Sequence, residues 1–232
     1  MEINTKYPRT YHIPWSPGAT SDDKKLDAQW FYANDWAGSE IVITEKLDGE
    51  NTCFTRDDVF SRSHATPTRS PWSRNLWDND GLLWKIKDKI GEGELIYGEN
   101  LYGEHSIHYD ELPNYFFIFA VRSINGCDDW LDWESVQTIA DILDIPTVPV
   151  LWHGTIESEP QLRRIIDEEM SLPSMFGKEK EGVVVRKVNW FKNADFPKNV
   201  CKWVRPNHVQ TDEHWTKNWK KAELINTENY DC

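Results

Sequence analysis

Thr44-Glu45-Lys46-Leu47-Asp48-Gly49-Glu50-Asn51 is the stretch on which the reading of this chain turns. The β-branched run 40–44 before it reads as a strand, the Asp-Gly step reads as a turn, and residues 52–55 resume a strand pattern. Lys46 is therefore expected at a strand end beside a tight turn. A lysine placed among apolar walls and other cations there can have its pKa lowered enough to supply a neutral amine nucleophile. An isolated Lys-x-Asp-Gly is more often a solvated surface turn, so the weight falls on the order of residues downstream of Asn51.

Working outward, two short strands are expected at 51–56 and 58–62, joined at Asp57-Asp58 and delivering Arg62. The polar stretch 63–75 reads as a mobile loop carrying Arg69 and Arg74, and 76–90 as a helix weakened by Gly81. A strand at 95–100 ends in Gly98-Glu99, and a doubly buried strand at 115–122 contains Phe119. The glycines at 98 and 103 do not make a phosphate loop, because Glu104-His105 stands where such a loop needs Lys followed by Ser or Thr.

A helix capped by Asp132 over 132–143, an edge strand at 148–152 containing Pro149, and a helix from Ser158 with Pro160 in its first turn read as structural. Two strands close the core: 180–186, with Glu181 at its start and Arg186 near its end, and 199–205, whose period of two sets Val200 and Lys202 on one face and Cys201, Trp203 and Arg205 on the other. Before the core, 7–23 carries three prolines and reads as an extended docked arm, with Arg9, His12 and Ser16 as candidate anion contacts, followed by a short helix at 24–33. After it, 211–224 reads as a helix that frays. One domain over 1–232 is expected: an arm and short helix to 35, a core over 40–205, and a helical tail over 206–232.

Composition limits the alternatives. The chain has 232 residues, 39% of them apolar, enough for a substantial core. Its 13 tryptophans are mostly expected in packing, with those in polar surroundings as candidate contact surfaces. A net charge of −13 argues against a general polyanion binder or a basic membrane-surface protein. Residues 178–205 are the exception, with eight basic side chains against three acidic ones. The four cysteines are far apart and suggest neither a disulfide framework nor a zinc site. With no signal-peptide pattern and no apolar run long enough to span a bilayer, a cytoplasmic protein without a membrane or evident protein partner is expected. His105-x-x-His108 lacks a third ligand at a recognisable spacing and carries no hydrolase reading.

Taken in order, Lys46-Leu47-Asp48-Gly49, Arg62, Gly98-Glu99, Phe119, Glu181-Gly182 and Lys202 resemble the motifs of the covalent nucleotidyltransferases, the ATP-dependent ligases of RNA and DNA and the mRNA capping enzymes. Glu45 with Asn51, Ser61-Arg62 and the run 181–186 look most like RNA ligases of the phage T4 RNA ligase 2 type. The resemblance covers about 40–205. It implies an α+β nucleotidyltransferase domain, an ATP-grasp-like ligase adenylation fold of antiparallel sheets with flanking helices.

It also implies roles. Lys46 would attack the α-phosphorus of ATP to form lysyl-AMP, and Lys202 would sit on the α-phosphate and depress the Lys46 pKa. Glu99 would bind the ribose hydroxyls, Phe119 stack on adenine, and Glu181 place Mg2+ or Mn2+. Arg62 and Arg186 would meet phosphates or ribose, Asn51 the phosphate in later steps, and Glu45 belongs to the same cofactor-binding set. AMP would pass to the 5′-phosphate of a strand, and a 3′-hydroxyl would displace it, so RNA ends or a nicked duplex are the implied partners. The family's last motif usually reads Lys-x-Lys, whereas Val204 stands at the second basic position here, with Arg205 or Lys198 as candidate replacements. Only 27 residues follow Arg205, too few for an appended oligonucleotide-binding barrel, so a compact ligase is expected. The alternatives are a capping-type guanylyltransferase or DNA ligase using the same lysine, and a nucleic-acid-binding module that keeps the fold without the chemistry.

Overall fold

The computed structural model describes residues 4–62, 66–207 and 215–225. In chain order the strands are β1 (Tyr11–His12), β2 (Ser39–Lys46), β3 (Glu50–Phe54), β4 (Val59–Ser61), β5 (Glu94–Asn100), β6 (Phe116–Ser123), β7 (Asp129–Trp130), β8 (Val150–Ile156), β9 (Gly182–Lys187), β10 (Phe191–Lys192) and β11 (Val200–Val204). The helices are α1 (Trp30–Ala33), α2 (Arg74–Trp77), α3 (Leu82–Ile86), α4 (Trp133–Leu143), α5 (Glu159–Ser171) and α6 (Phe196–Asn199).

The strands form two sheets, one ordered β1-β11-β9-β2-β8 and the other β10-β7-β6-β5-β3-β4. Every pairing is antiparallel except β1 on β11. Two sheets with flanking helices agree with the α+β expectation. The two long helices form as their sequences require. Asp132 and Ser158 accept from the N–H groups of Ser135 and Gln161, and Leu162, Ile165 and Ile166 of α5 are buried against the first sheet together with Trp30, Phe31 and Trp36. The second sheet shares its core with α3 and α4 through Phe54, Ile96, Phe116, Ile86, Val136 and Ala140. Trp30, Trp36 and Trp130 are fully buried, whereas Trp84 and Trp190 are exposed, so most but not all tryptophans are packing residues.

Three expected helices are corrected. Over 24–33 only the last turn is helical. The backbone of Lys24 and Leu26 bonds to His12 instead, Lys24 accepting at 2.8 Å and Leu26 donating at 2.8 Å, so those groups are lost to a helix. Over 76–90 the chain breaks between α2 and α3. Gly81 turns back onto Asp78, whose carbonyl accepts from its N–H at 2.7 Å, and a β-carbon at Gly81 would lie 2.8 Å from the Leu76 carbonyl. Of 211–224, residues 211–214 lie outside the described residues. Trp215–Lys217 is one 3-10 turn, and the segment beyond it bonds in extended form to Tyr102, Glu104 and Leu112.

The stretch 63–75 also differs from a mobile loop, with residues 63–65 outside the described residues. Thr68 donates to the Val59 carbonyl at 2.8 Å, Trp72 Nε1 donates to Glu50 at 3.3 Å, Ser73 Oγ bonds the same carboxylate, and Asn100 holds the Trp72 carbonyl at 3.0 Å. β8 runs from Val150 to Ile156, beginning just after Pro149, and is an edge strand as expected. Among the described residues no helix is long and apolar enough to cross a membrane.

Candidate functional site

A cavity of about 330 Å³ opens between the two sheets, lined among others by Lys46, Asn51, Arg62, Glu99, Phe119, Glu181, Arg186 and Lys202. One face of the first sheet makes its charged wall. Across the ladder, Lys46 of β2 is opposite Gly182 of β9, which is opposite Val204 of β11. Two residues along, Thr44, Val184 and Lys202 form the neighbouring row. Val200 and Lys202 line the cavity while Cys201 and Trp203 pack in the opposite core, as period two predicts.

Gly182 has a steric reason to be glycine, because a β-carbon there would lie 2.1 Å from the Trp203 carbonyl oxygen. That close approach sets Glu181 directly beside the nucleophile candidate, and the Lys46 ammonium is paired with the Glu181 carboxylate. The turn after Lys46 is fastened rather than loose. The Asp48 carboxylate accepts from the N–H groups of Ser106 and Ile107 at 2.8 and 2.9 Å, and the Asp48 N–H donates to Tyr109 Oη at 2.8 Å. Gly49 donates to Glu99 Oε1 at 3.2 Å.

The second sheet makes the other wall. β5 and β6 shift register between Tyr97 and Gly98: Tyr97 is opposite Ala120 and Gly98 opposite Ile118, which leaves Phe119 as the extra, bulged residue. The backbone of Ile118 is held from outside by Pro146 and Val148, at 2.9 Å each. The half-buried Phe119 at this bulge lines the cavity, as do Glu99 and Lys46. Asn51 is the cross-strand partner of Glu99 on β3, and Arg62 follows β4 with its Nε donating to the Tyr7 carbonyl at 3.4 Å.

The electrostatics correct one expectation. Burial lowers the Lys46 pKa, but the carboxylates of Glu181, Glu99 and Asp48 outweigh it, so the resting side chain is held as an ammonium rather than a neutral amine. The lowered lysine is Lys202, brought down to about 8 by burial and by the charge of Lys46. Burial raises Glu99 to about 8, with Lys46 opposing the rise and Glu181 and Asp48 adding to it. Burial lowers Arg186 to about 10. Its guanidinium bonds the Leu131 carbonyl and lies over the Phe191 ring.

Not every expected residue reaches the chemistry. Glu45 lines the cavity, but its carboxylate accepts from Ser174 Oγ at 2.6 Å and the Met175 N–H at 3.0 Å, so it fastens the loop before β9. Arg205 pairs with Glu179 at 2.7 Å and Lys198 with Asp195 at 2.8 Å, and neither lines the cavity. Arg69 and Arg74 are paired with Asp58 and Asp78. His12 and Ser16 are joined at 2.8 Å, and Ser16 accepts from the Val204 N–H at 2.9 Å, so both fasten the arm to β11. Missed from the sequence were Tyr7 and Asp23 of the arm, which line the cavity, and the apolar walls Trp133 and Val148. Nothing in the local pattern marks them, since the fold brings them in from distant segments.

Chemically, the cavity offers a flat aromatic face, cations for phosphate oxygens and carboxylates for hydroxyls. Among the described residues no cluster of three or more His, Cys, Asp or Glu forms a metal cage. Glu181, a carboxylate in the cavity lining, fits instead a magnesium-type cation that takes one or two carboxylates and completes its shell with water and phosphate oxygens.

The RNA ligase family model matches residues 39–204. Among curated proteins none matches the sequence. Of solved structures, a Naegleria gruberi RNA ligase with pyrophosphate superimposes with a TM-score of 0.54 at 16% identity, covering 88% of this chain and 60% of that one. An archaeal ATP-dependent RNA ligase gives 0.52 at 14%, covering 86% and 48%. A putative ATP-dependent DNA ligase from Aquifex aeolicus gives 0.50 at 17%, covering 86% and 50%. The chain thus spans about half to three fifths of the structures it matches, and at these identities the likeness is one of fold. The family match covers most of the sequence and takes in both Lys46 and Lys202: the chain belongs to the RNA ligase family.

Proposed function

We propose that this chain is an ATP-dependent RNA ligase that joins 5′-phosphate and 3′-hydroxyl ends through lysyl-AMP and adenylylated RNA. The observation that carries the reading is the strand-end Lys46 facing Glu181, Lys202, Glu99 and Phe119 in one cavity. In the first step the Lys46 amine, having lost its proton, attacks the α-phosphorus of ATP. A nitrogen–phosphorus bond forms, the bond to the bridging oxygen breaks, and pyrophosphate leaves. Lys202 meets the charge that develops on the α-phosphate, where a fixed cation in a water-poor site is most effective. Phe119 stacks on the base and Glu99 accepts from the ribose hydroxyls. Arg186 and Asn51 complete the contacts to sugar and phosphate, and Arg62 contacts phosphate at the rim. Glu45 positions the strand end rather than touching nucleotide. Glu181 would hold the divalent cation, which when bound supplies positive charge beside the phosphates and offsets the carboxylates that keep Lys46 protonated.

Transfer of AMP to a strand 5′-phosphate and its displacement by a 3′-hydroxyl then complete a ligation. The test is joining of a nick with a labelled 5′-phosphate, offered in RNA and in DNA, with ATP or GTP and magnesium. Sealed RNA with ATP is the expected product. Sealing of DNA alone would replace RNA as the substrate, and an adduct with GTP alone would give the capping-type reaction. Neither sealing nor adduct under any of these conditions would leave a binding module.

A further inference from the structure

The cavity contains cations that form no direct ion pair among the described residues, although Asp23 and Glu181 act on Lys202 from a distance. Outside the cavity five arginines pair with carboxylates, Arg69 with Asp58, Arg74 with Asp78, Arg122 with Asp128, Arg164 with Glu168 and Arg205 with Glu179, while Arg56 and Arg163 have no ion pair among the described residues. Within the cavity Lys46 has Glu181. Lys202, Arg62 and Arg9 make no ion pair among the described residues, although the chain has 39 acidic residues. Lys202 is inside, whereas Arg62 and Arg9 are exposed at the rim.

Arg9 is held on both sides by fixed structure. Two residues before it, the Tyr7 ring is buried with Phe119, Trp130 and Phe196 at 5.1–5.2 Å, and the Tyr7 carbonyl accepts from Arg62. Two residues after it, β1 pairs with β11, Tyr11 opposite Cys201 and His12 opposite Lys202. Each guanidinium spends one N–H on a carbonyl, Arg9 on Asp22 at 3.2 Å and Arg62 on Tyr7. A guanidinium has five such donors in a rigid fork, so both retain donors for a phosphate.

We infer that Arg9, which the arm brings to the lining of the same cavity as Arg62, is a second anion site of the cavity that binds a phosphate beyond the one at Lys46. The inference rests on the nucleotidyl-transfer reading of the same cavity. Two sources share this chemistry, the outer phosphates of a nucleoside triphosphate and the 5′-phosphate end of a strand. Loss of one charge-assisted contact weakens binding by about tenfold to a hundredfold.

The experiment is calorimetric titration of wild type, Arg9→Ala and Arg56→Ala with inorganic tripolyphosphate, and with one RNA oligonucleotide carrying either a 5′-phosphate or a 5′-hydroxyl. Arg56 is exposed outside the cavity and controls for net charge. Arg9→Ala should lose about tenfold or more for a phosphate probe, Arg56→Ala should not, and both should unfold at the wild-type temperature. Loss confined to tripolyphosphate assigns the site to the triphosphate tail. Loss confined to the 5′-phosphorylated oligonucleotide, with its 5′-hydroxyl twin unchanged, assigns it to the strand end. Equal affinities in wild type and Arg9→Ala, or no binding of any phosphate probe by the wild type, overturn it. Binding is read without turnover, so absence of a lysyl adduct would sink the ligase reading and leave this readout intact.

Discussion

The two sheets that enclose the cavity reach the same space by opposite means. The first is regular across β2, β9 and β11 at the cavity, its own register shift between Ile43 and Thr44 falling against the edge strand β8. Lys46, Gly182 and Val204 lie in one row, Thr44, Val184 and Lys202 in the next, and the charges follow from register alone. The second delivers Phe119 through a fault, the register shift at Tyr97/Gly98 that leaves the ring unpaired on β6. Regular ladders hold the proposed reacting groups where small displacements matter most, and a bulge re-aims the ring where a flat base would stack.

The comparison breaks most severely at Gly182. Gly182→Val would drive a side chain into the Trp203 carbonyl and separate β9 from β11, and is expected to lower unfolding stability by about 3 kcal/mol, as overpacking does. Denaturant unfolding with unchanged stability would show that the close approach is not needed.

Next comes Lys202. Lys202→Met should reduce adduct formation by about a hundredfold or more, the scale of losing one preorganised charge contact. Stability should move the other way. The folded pKa of Lys202 is about 8, below its unfolded value, so its contribution is full above the unfolded pKa and is lost as pH falls to about 8. At pH 7 the buried charge is a burden, and the variant should melt no lower than wild type.

On the second sheet, Phe119→Ala should raise the KM for nucleotide by about tenfold with the fold intact, in line with about 1–3 kcal/mol for a stacked base. An unchanged KM would remove the bulge from nucleotide recognition.

The smallest effect is a pH dependence. Glu99 has a folded pKa of about 8, above its unfolded value, so its contribution is present at low pH and is lost as pH rises from about 4.5 to 8. Glu99→Gln should match wild type in melting temperature near pH 4.5 and exceed it by a few degrees above pH 8.

The same contrast explains what could be read in advance. Strand ends at Lys46 and Glu181, the face of Lys202, and the capped helices at Asp132 and Ser158 follow from short-range patterns, and they stand where expected. Phe119 was legible as an aromatic in a strand, but not the bulge that aims it, because the bulge depends on Pro146 and Val148 holding Ile118 from outside. The expected helix at 24–33 failed for the same reason, its backbone bonds being taken by β1. The charge state of Lys46 was misread because the sequence shows which cations come near but not that Glu181, Glu99 and Asp48 outweigh burial. Glu45 sits at the predicted place, yet a distant loop at Ser174 and Met175 claims its carboxylate.

The most direct test of the account is to incubate the protein with ATP and magnesium, then locate any covalent adenylate by intact mass and peptide mapping. One AMP on the peptide containing Lys46, absent in Lys46→Ala with an unchanged melting temperature, is the predicted result. An adenylate on another residue, or one that persists in Lys46→Ala, would contradict it.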